Sequence, residues 1–562
     1  MTELVTSTTP RPGWPGADLA IVAAGVWTGL GPAADAGADA VGVSGGRIVA
    51  VGRLADVRAR LRPASPVVEV PGGLVLPGFQ DAHVHPTHGG YHLIRCDLHD
   101  MRGSDAVVEA VRAYAGANPD VPWILGGGWY MADFPGGTPS RQMLDAAVPD
   151  RPVLLVNRDE HGAWANSLAL RLIGFHRETP DPALGRIERE PDGTPQGTLH
   201  EYAMDIARRR VPPQTGDERD RGLAAGIAYL HARGITAIQD AWVDPDDLET
   251  YLRLVRSGRL TARVRAALWW DHDVGLEQID DLRERRRAGT TGRLHAGTVK
   301  IMADGVLENR TGSLLEPYLA PDGRPTTERG IAFLDPDRLA DAIRLLDADG
   351  FQVHVHAIGD RAVRDSLDAF EGAIRLNGRR GNRHHIAHIQ LVHPDDVGRF
   401  AELDVTANMQ PFWACHDAQM DMLTIPILGP ARSAWQYPFG SLVRSGARLA
   451  GGSDWSVSTP DVLQEIQVAI TRTFPDPEVS PEPLLPTEAL DLETALRAYT
   501  AGSAFVNHLD DGTGTIEVGR FADLAVVDRD IRTVDPATLL EGRVSLTLVE
   551  GEPVHVGGGV RW

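Results

Sequence analysis

The sequence predicts an α/β protein built around a (β/α)8 TIM barrel, with a small discontinuous β-sandwich domain from both chain ends. Three observations support this prediction. Short apolar segments alternate with amphipathic stretches through the middle of the chain, both ends share a glycine-broken β pattern, and one interval between strands is unusually long. That interval predicts a large insert after the first barrel strand.

Eight strand-like segments account for the barrel. They are 73–78, just before His83, and then 235–241, 264–270, 298–303, 351–356, 385–389, 405–410 and 448–452. Amphipathic stretches with helical periodicity separate them, including 218–233, 336–348, 361–376 and 461–472. Strands and helices that alternate in this way favour a closed parallel barrel with the helices outside.

The two chain ends have a different residue pattern from the middle of the chain. Residues 18–26, 40–51 and 67–75 alternate in the β period around a Ser-Gly-Gly turn, and 523–528 and 544–556 repeat the pattern. Because chain termini often lie close together, residues 1–75 and 506–562 are expected to form one discontinuous domain, which leaves 76–505 for the barrel.

The interval from Gly78 to Ile235 spans about 157 residues, whereas one βα unit needs roughly 30–40. Residues 88–215 are therefore expected to form an insert. Within it, 105–115 reads as a helix, 153–157 as a strand, and 188–197 as a turn-rich surface loop. An insert after a barrel strand lies over the active-site face.

The composition narrows the class of protein. A net charge of −22 disfavours nucleic acid and anionic membranes as partners. The two cysteines, Cys96 and Cys415, are too few for a disulfide framework. Met1 to Gly16 lacks the pattern of a signal peptide, and no apolar run is long enough to span a membrane. These features predict a cytoplasmic enzyme with a small-molecule substrate, and they are compatible with a homodimer.

Catalytic groups of such barrels lie at the carboxyl ends of the strands. Those ends carry two His-x-His pairs, a lysine and several acids: His83, His85, Lys300, Asp304, His354, His356, His388 and Asp454. Histidines two apart on a strand point to the same side, as two ligands of one ion must. Each pair alone is weak evidence, but their convergence on one mouth predicts a site for zinc or a similar divalent ion.

Several segments resemble the amidohydrolase superfamily. Residues 76–85 (LPGFQDAHVH) are similar to its first-strand signature, and 514–528 (GTIEVGRFADLAVVD) resembles its C-terminal β segment. Residues 298–315 (TVKIMADGVLENRTGSLL), 356–361 (HAIGDR), 384–390 (HHIAHIQ) and 452–454 resemble one branch, which includes N-substituted formamide deformylases. The resemblance covers nearly the whole chain, although Ala387 stands where many relatives have glutamate.

The resemblance implies a role for each ligand position that lies in a matching motif. His83 and His85 would bind the more buried ion, and His356 and His388 the second. Lys300 would be carboxylated and bridge two Zn²⁺ ions. Asp454 would act both as a ligand and as the general base. His354 also faces inward on a regular strand, but His356 heads the family-like segment.

Aromatic side chains at the strand ends and in the insert predict an apolar or aromatic substrate. The predicted substrate contacts are Trp129, Trp164, Trp269, Arg310, Trp413 and Trp455. His161, in a segment that resembles a family loop, is a second catalytic candidate that would polarise the scissile carbonyl; a structural loop histidine is the alternative.

Together these features predict a metal-dependent amidohydrolase that cleaves a non-peptide C–N bond. The substrate would be an N-substituted formamide, an N-acyl amine or a cyclic amide, attacked by a metal-bound hydroxide. Two alternatives stay open: a heterocycle deaminase of the same superfamily, and a non-catalytic metal-bearing regulatory or binding protein. Deaminases of this superfamily usually lack the lysine of strand 4, which Lys300 provides here.

Overall fold

The computed structural model describes residues 19–562, so the segment used to argue against a signal peptide lies outside the described residues. In the described chain, eight parallel strands pair in chain order, and we call them barrel strands 1 to 8. They are Phe79–Val84, Ile235–Val243, Arg263–Trp269, Leu294–Met302, Gln352–Ala357, His385–His388, Thr406–Met409 and Leu449–Gly451. The α/β barrel predicted from the alternating pattern is therefore confirmed.

The barrel closes where the chain after strand 8 reaches strand 1. Asp454 N donates to His83 O at 2.8 Å, and His85 N donates to Trp455 O at 2.7 Å. Gly452 makes this approach feasible, since a Cβ at that position would lie 2.7 Å from His83 Cβ. The closure sets Asp454 directly beside the two histidines of strand 1.

The first barrel strand differs from its prediction. Leu74–Pro77 pairs antiparallel with Leu524–Val527 in a sheet outside the barrel, and the barrel strand begins only at Phe79. The prediction of 73–78 as barrel strand 1 was wrong because the apolar residues of Leu74–Pro77 continue to Phe79, where the barrel strand begins. Periodicity does not mark where such a run leaves one sheet and enters another.

Helices surround the barrel and bury one face each. In Asp360–Asn377, the buried positions Val363, Leu367 and Phe370 recur at helical spacing. Thr215 and Glu218 form a capping box at the start of Gly216–His231. The other helices of this part of the chain are Pro86–Leu93, Pro245–Arg256, Gln278–Ala288, Pro336–Ala348, Pro394–Leu403, Ile425–Ser433, Phe439–Arg444, Val462–Thr471, Leu492–Arg497 and Ser503–Val506. No helix within residues 19–562 has the length and apolarity to cross a bilayer.

The chain ends build two further sheets. One consists of Leu19–Val22, Ala40–Ser44, Arg47–Gly52 and Val67–Glu69; the other consists of Gly25–Val26, Leu74–Pro77, Leu524–Val527, Val544–Val549 and Glu552–Val556. Both sheets contribute to one hydrophobic cluster, in which Ile21 and Val43 belong to the first and Val526 and Leu546 to the second. The second sheet thus joins both ends of the chain, while the boundaries at 75 and 506 stay a prediction.

The insert after strand 1 contains more regular structure than the sequence predicted. The helix Ser104–Ala117 and the strand Val153–Asn157 correspond to the two predicted elements. The described insert residues also include the strands Cys96–Asp97, Ile124–Trp129, Gly162–Ala165, Gly185–Arg189 and Pro195–Glu201, and the helices Arg141–Ala147, Ser167–Ile173 and Tyr202–Arg208. All six strands form one sheet, so the predicted surface loop 188–197 is a hairpin connection.

Candidate metal centre and active site

Four barrel strands and the chain after strand 8 bring the predicted ligand side chains to one mouth. His83 lies on strand 1 with His85 just after it, and Lys300 lies on strand 4. The parallel register pairs Met302 with His356 and Ala357 with His388. His356 and His388 therefore lie at nearly the same level along the barrel axis. All six predicted ligand positions, including Asp454, are buried and line one pocket.

The ligand atoms lie within a few ångströms of one another. Asp454 Oδ1 is 2.9 Å from His85 Nε2 and 3.2 Å from His83 Nε2, and Asp454 Oδ2 is 3.9 Å from His388 Nδ1. Ligand atoms of His83, His388 and Asp454 all lie within 4.8 Å of each other. The rings of His356 and His388 are 4.4 Å apart. This spacing is compact enough for shared divalent ions.

Several of these atoms have no hydrogen-bond partner among the described residues. They include Asp454 Oδ1, His85 Nδ1 and His388 Nδ1, although each is buried. Asp454 Oδ1 lies near two imidazole nitrogens, but not in hydrogen-bonding geometry. Buried polar atoms without partners are costly, and a divalent cation would satisfy them. The residues present therefore fit a metal ion.

The protonation states also suit ligation. Burial holds the pKa of His83, His356 and His388 well below the usual range, so these imidazoles are neutral, as metal ligands must be. Lys300 Nζ lies 3.4 Å from His83 Nε2, and burial lowers the pKa of Lys300 to about 7. A substantial fraction of this amine is thus unprotonated near neutral pH, the form that reacts with CO₂.

His161 enters the same pocket from the insert. Its ring lies 5.3 Å from the ring of His356. Its Nδ1 is 2.9 Å from Glu201 Oε2, and Thr311 Oγ1 donates to Glu201 Oε1 at 2.6 Å. Burial lowers the pKa of His161, but the Glu201 carboxylate outweighs this effect and raises it to about 9. The arrangement leaves Nε2 as the nitrogen available to a substrate.

Glu201 was missed by the sequence analysis. It ends the strand Pro195–Glu201, in the hairpin that the sequence suggested was a loop, and its side chain is 4% exposed. A glutamate at a strand end is a weak signal without its pairing partner. Only the insert sheet brings Glu201 beside His161, because the strand Gly162–Ala165 pairs antiparallel with Pro195–Glu201.

Aromatic side chains line the pocket at the ends of strands 2 and 3 and after strand 7, on opposite sides of the barrel. Trp269 and Trp413 line it as predicted. Trp242, which the site prediction omitted, also lines it and stacks on Trp269 with centroids 3.8 Å apart. Trp413 stacks on the ring of His388 at 5.3 Å, so this indole both bounds the pocket and supports a ligand.

Four predicted substrate contacts, all within the described chain, do not line the pocket. Trp129 and Trp164 are buried in the core of the insert, where their indole N–H groups donate to backbone carbonyls. Trp455 stacks on Tyr229, with centroids 4.9 Å apart. Arg310 pairs with Glu328 and also donates to a backbone carbonyl. Their hydrogen bonds and packing partners are structural, so we withdraw these contacts.

The far end of the pocket is polar. Tyr130 OH donates to Asp417 Oδ2 at 2.6 Å, which joins the insert to the loop after strand 7. Burial raises the pKa of Glu308 to about 7 and of Asp159 to about 6. Arg158 also lines this end. The pocket lining is therefore mixed, with polar groups as well as tryptophans.

Comparison with known proteins adds to this geometry. The family described as "Amidohydrolase family" matches residues 67–555. Protein LONG AFTER FAR-RED 3 of Arabidopsis thaliana is 31% identical over 503 residues, which cover 87% of this chain and 84% of the relative. N-substituted formamide deformylase of Arthrobacter pascens is 28% identical over 561 residues, covering 95% and 97%. The crystal structure of an uncharacterized metal-dependent hydrolase from Pyrococcus furiosus aligns at 27% identity with a TM-score of 0.69, covering 91% and 99%.

Proposed function

The chain belongs to the amidohydrolase family, and from this premise we propose that it hydrolyses a C–N bond of an amide-like substrate with the help of divalent metal. The observation that carries the proposal is the buried set of ligand atoms around Asp454, several of which have no hydrogen-bond partner in residues 19–562. The similarity to an N-substituted formamide deformylase supports an amide as the substrate class.

We assign the ligand residues to two groups around Lys300. His83 and His85 would hold one ion, and His356 and His388 the other, with carboxylated Lys300 between them. Two Zn²⁺ ions bound there would polarise the substrate carbonyl and lower the pKa of the attacking water. The pKa of Lys300, lowered to about 7, supports its carboxylation, since the reaction with CO₂ needs a neutral amine.

Asp454 has the geometry of the proton carrier in this reaction. Its carboxylate is 4% exposed, and Oδ1 has no hydrogen-bond partner among the described residues. With one carboxylate oxygen on a metal ion, the other would accept the proton of the attacking water and then deliver it to the leaving amine nitrogen. A positioned acid–base group of this kind contributes typically about 10²–10⁴-fold to the rate.

His161 would bind the carbonyl oxygen of the substrate. With Nδ1 held by Glu201, the Nε2–H group is free to donate to the oxygen as negative charge develops on it. Glu201 is 4% exposed, so water screens its interaction with His161 only weakly. This pairing supports a catalytic role for His161 over that of a structural loop histidine.

The pocket wall supports an apolar or aromatic substituent on the substrate. Trp242, Trp269 and Trp413 present large apolar faces near the ligand cluster. We expect an N-substituted formamide, an N-acyl amine or a cyclic amide whose substituent packs against these indoles. Deaminases of this superfamily usually carry a glutamate beside the histidine of strand 5, where Ala357 follows His356 here. Together with the presence of Lys300, this disfavours heterocycle deamination. A non-catalytic role would not account for the position of Asp454 and His161 in the same pocket.

A turnover screen with the zinc-loaded full-length chain tests this proposal. N-substituted formamides, N-acyl amines and cyclic imides are incubated with the protein, and the released amine or ring-opened product is measured. A heterocyclic amine assayed for ammonia release is the control for deamination. We expect amide cleavage that a chelator abolishes and zinc restores. Ammonia release alone, or no turnover by protein with bound zinc, would contradict the proposal.

A further inference from the structure

A network of buried polar side chains lies beneath the metal centre, inside the barrel. Its central residue is Gln239 on barrel strand 2, which is fully buried. Gln239 Oε1 is 2.8 Å from His354 Nδ1 and 2.9 Å from His385 Nε2. His354 Nε2 in turn lies 2.9 Å from His83 Nδ1. The network therefore ends on the nitrogen of His83 that faces away from the ligand cluster.

Backbone carbonyls fix the direction of the hydrogen bonds at one end of this network. Gln352 Nε2 lies 2.7 Å from Arg383 O and 2.8 Å from Val506 O, and a carbonyl can only accept. Gln352 Oε1 is thus an acceptor, and it accepts hydrogen bonds from Gln239 Nε2 at 3.2 Å and from Thr298 Oγ1 at 2.7 Å. The amide orientation of Gln239 follows from these bonds.

A second, separate chain of hydrogen bonds gives the same orientation. Thr513 Oγ1 donates to Leu509 O at 2.9 Å and accepts from Gln80 Nε2 at 2.7 Å. Gln80 Oε1 then accepts from Asn507 Nδ2 at 3.2 Å, which leaves Asn507 Oδ1 to accept from Gln239 Nε2 at 3.3 Å. Both chains make Nε2 of Gln239 the donor and Oε1 the acceptor.

A third fixed point lies at His385. Asn408 Nδ2 donates to Ala82 O at 2.8 Å and lies 3.2 Å from His385 Nδ1. His385 Nδ1 therefore accepts, and its Nε2–H donates to Gln239 Oε1. The imidazole of His385 is in the tautomer that agrees with the amide orientation of Gln239.

The tautomers of His354 and His83 follow in turn. His354 Nδ1–H donates to Gln239 Oε1. Both partners of His354 are uncharged, and an unpaired buried charge is costly, so its imidazole is neutral and Nε2 carries a lone pair. That lone pair accepts Nδ1–H of His83. His83 Nε2, which faces Lys300 Nζ at 3.4 Å and Asp454 Oδ1 at 3.2 Å, is then the bare nitrogen.

We propose that Gln239 is a positioning residue that, through His354, holds His83 as the tautomer with its proton on Nδ1 and its Nε2 free to bind a divalent ion. This inference rests on the proposed function, because it gives Nε2 a metal to bind. It also assigns His354, an alternative ligand in the sequence, to the support of His83. Partners that orient a metal-ligating histidine typically contribute about 10–100-fold to metal affinity.

The test compares the full-length chain with Gln239→Leu and Thr298→Val. Gln239→Leu removes the acceptor for His354 and frees the two imidazoles to adopt the other tautomers. Thr298→Val is the matched control, since it removes one buried hydrogen bond to Gln352 Oε1 but leaves Gln239 and both carbonyl contacts in place. Zinc affinity is measured by competition with a chelating dye, and bound zinc is counted by mass spectrometry.

We expect Gln239→Leu to weaken zinc binding by about 10–100-fold and Thr298→Val to leave it within about twofold of the unaltered chain. Equal zinc affinity in a folded Gln239→Leu chain would overturn the inference and leave the proposed function standing. Failure of the unaltered chain to bind zinc would overturn the proposed function itself.

A second measurement reads the tautomer of His83 in the unaltered chain. Nitrogen NMR of the metal-free chain labelled with ¹⁵N-histidine reports which ring nitrogen of each imidazole carries the proton, and the signal lost in His83→Gln identifies His83. We expect His83 with Nδ1 protonated and Nε2 bare before any metal is added. A protonated Nε2 in the unaltered chain would overturn the inference.

Discussion

Replacing Glu201 by glutamine tests the role of His161 at nearly constant shape. Glu201 Oε2 lies 2.9 Å from His161 Nδ1, and both side chains are largely buried. Glutamine can still accept the His161 proton through its oxygen, and Thr311 Oγ1 can turn to Val306 O, which lies 3.1 Å away. The substitution therefore removes the negative charge that keeps His161 doubly protonated, and a neutral His161 that donates Nδ1–H to glutamine has no Nε2–H for the substrate.

The size of the effect follows from that lost charge. A neutral His161 no longer donates Nε2–H to the carbonyl oxygen, and removing one donor to a developing oxyanion typically lowers kcat by about 10²–10³-fold. We expect the loss mainly in kcat, because the donation from His161 strengthens as charge develops on the carbonyl oxygen.

The assay measures amine release from the amide that the chain turns over fastest, with zinc content checked in each variant. Glu188→Gln is the matched control, since Glu188 lies 3.1 Å from His200 in the same hairpin but does not line the described pocket. We expect its kcat/KM to stay within about twofold of the unaltered chain. A Glu201→Gln chain with unchanged kcat/KM would refute the catalytic role of the pair.

Three further predictions concern Lys300, Asp454 and a buried histidine of the scaffold. Lys300→Ala should lose turnover and regain part of it with short-chain carboxylic acids, which replace the carbamate; full activity without them would exclude a bridging role. Asp454→Asn should retain zinc but lose at least about 10²-fold in kcat, and wild-type turnover with zinc retained would exclude it as the base. Burial lowers the pKa of His231 to about 4 from 6.5, so the stability that its neutral form contributes is complete above pH 6.5 and is lost as pH falls towards 4. Acidification from pH 7 to 5 should therefore lower the free energy of unfolding by about 2 kcal/mol more in the unaltered chain than in His231→Gln, as measured by denaturant unfolding; an equal change would contradict this account.

Much of the fold could be predicted because the barrel pattern is local. Its strands are short apolar runs between amphipathic helices, and the predicted helix 336–348 has the observed bounds Pro336–Ala348. The insert sheet could not be predicted in the same way. Ile124–Trp129 contains three consecutive glycines, which are unfavourable in strands, and its neighbours are set by pairings distant in sequence.

The site, like the fold, could be predicted only in part from the sequence. The convergence of the six predicted ligand side chains on one pocket could be predicted because they lie at or just after the carboxyl ends of barrel strands, which meet at one mouth. Which tryptophans line the pocket could not be predicted, since residue type does not reveal which face of an element a side chain occupies. Trp269 lies on the pocket wall, whereas Trp129 lies in the insert core. Glu201 and Gln239 act through partners about 40 and 115 residues away, which no local pattern records.

The most direct test of the central claim is anomalous diffraction at the zinc edge from crystals of the full-length chain grown with zinc and bicarbonate. Our account predicts two peaks about 3.5–4 Å apart, one beside His83 and His85 and the other beside His356 and His388, with density for a carboxylated Lys300 between them. A single peak would contradict the bridged pair of ions. The absence of any peak at these residues would contradict the assignment of this cluster as a metal centre.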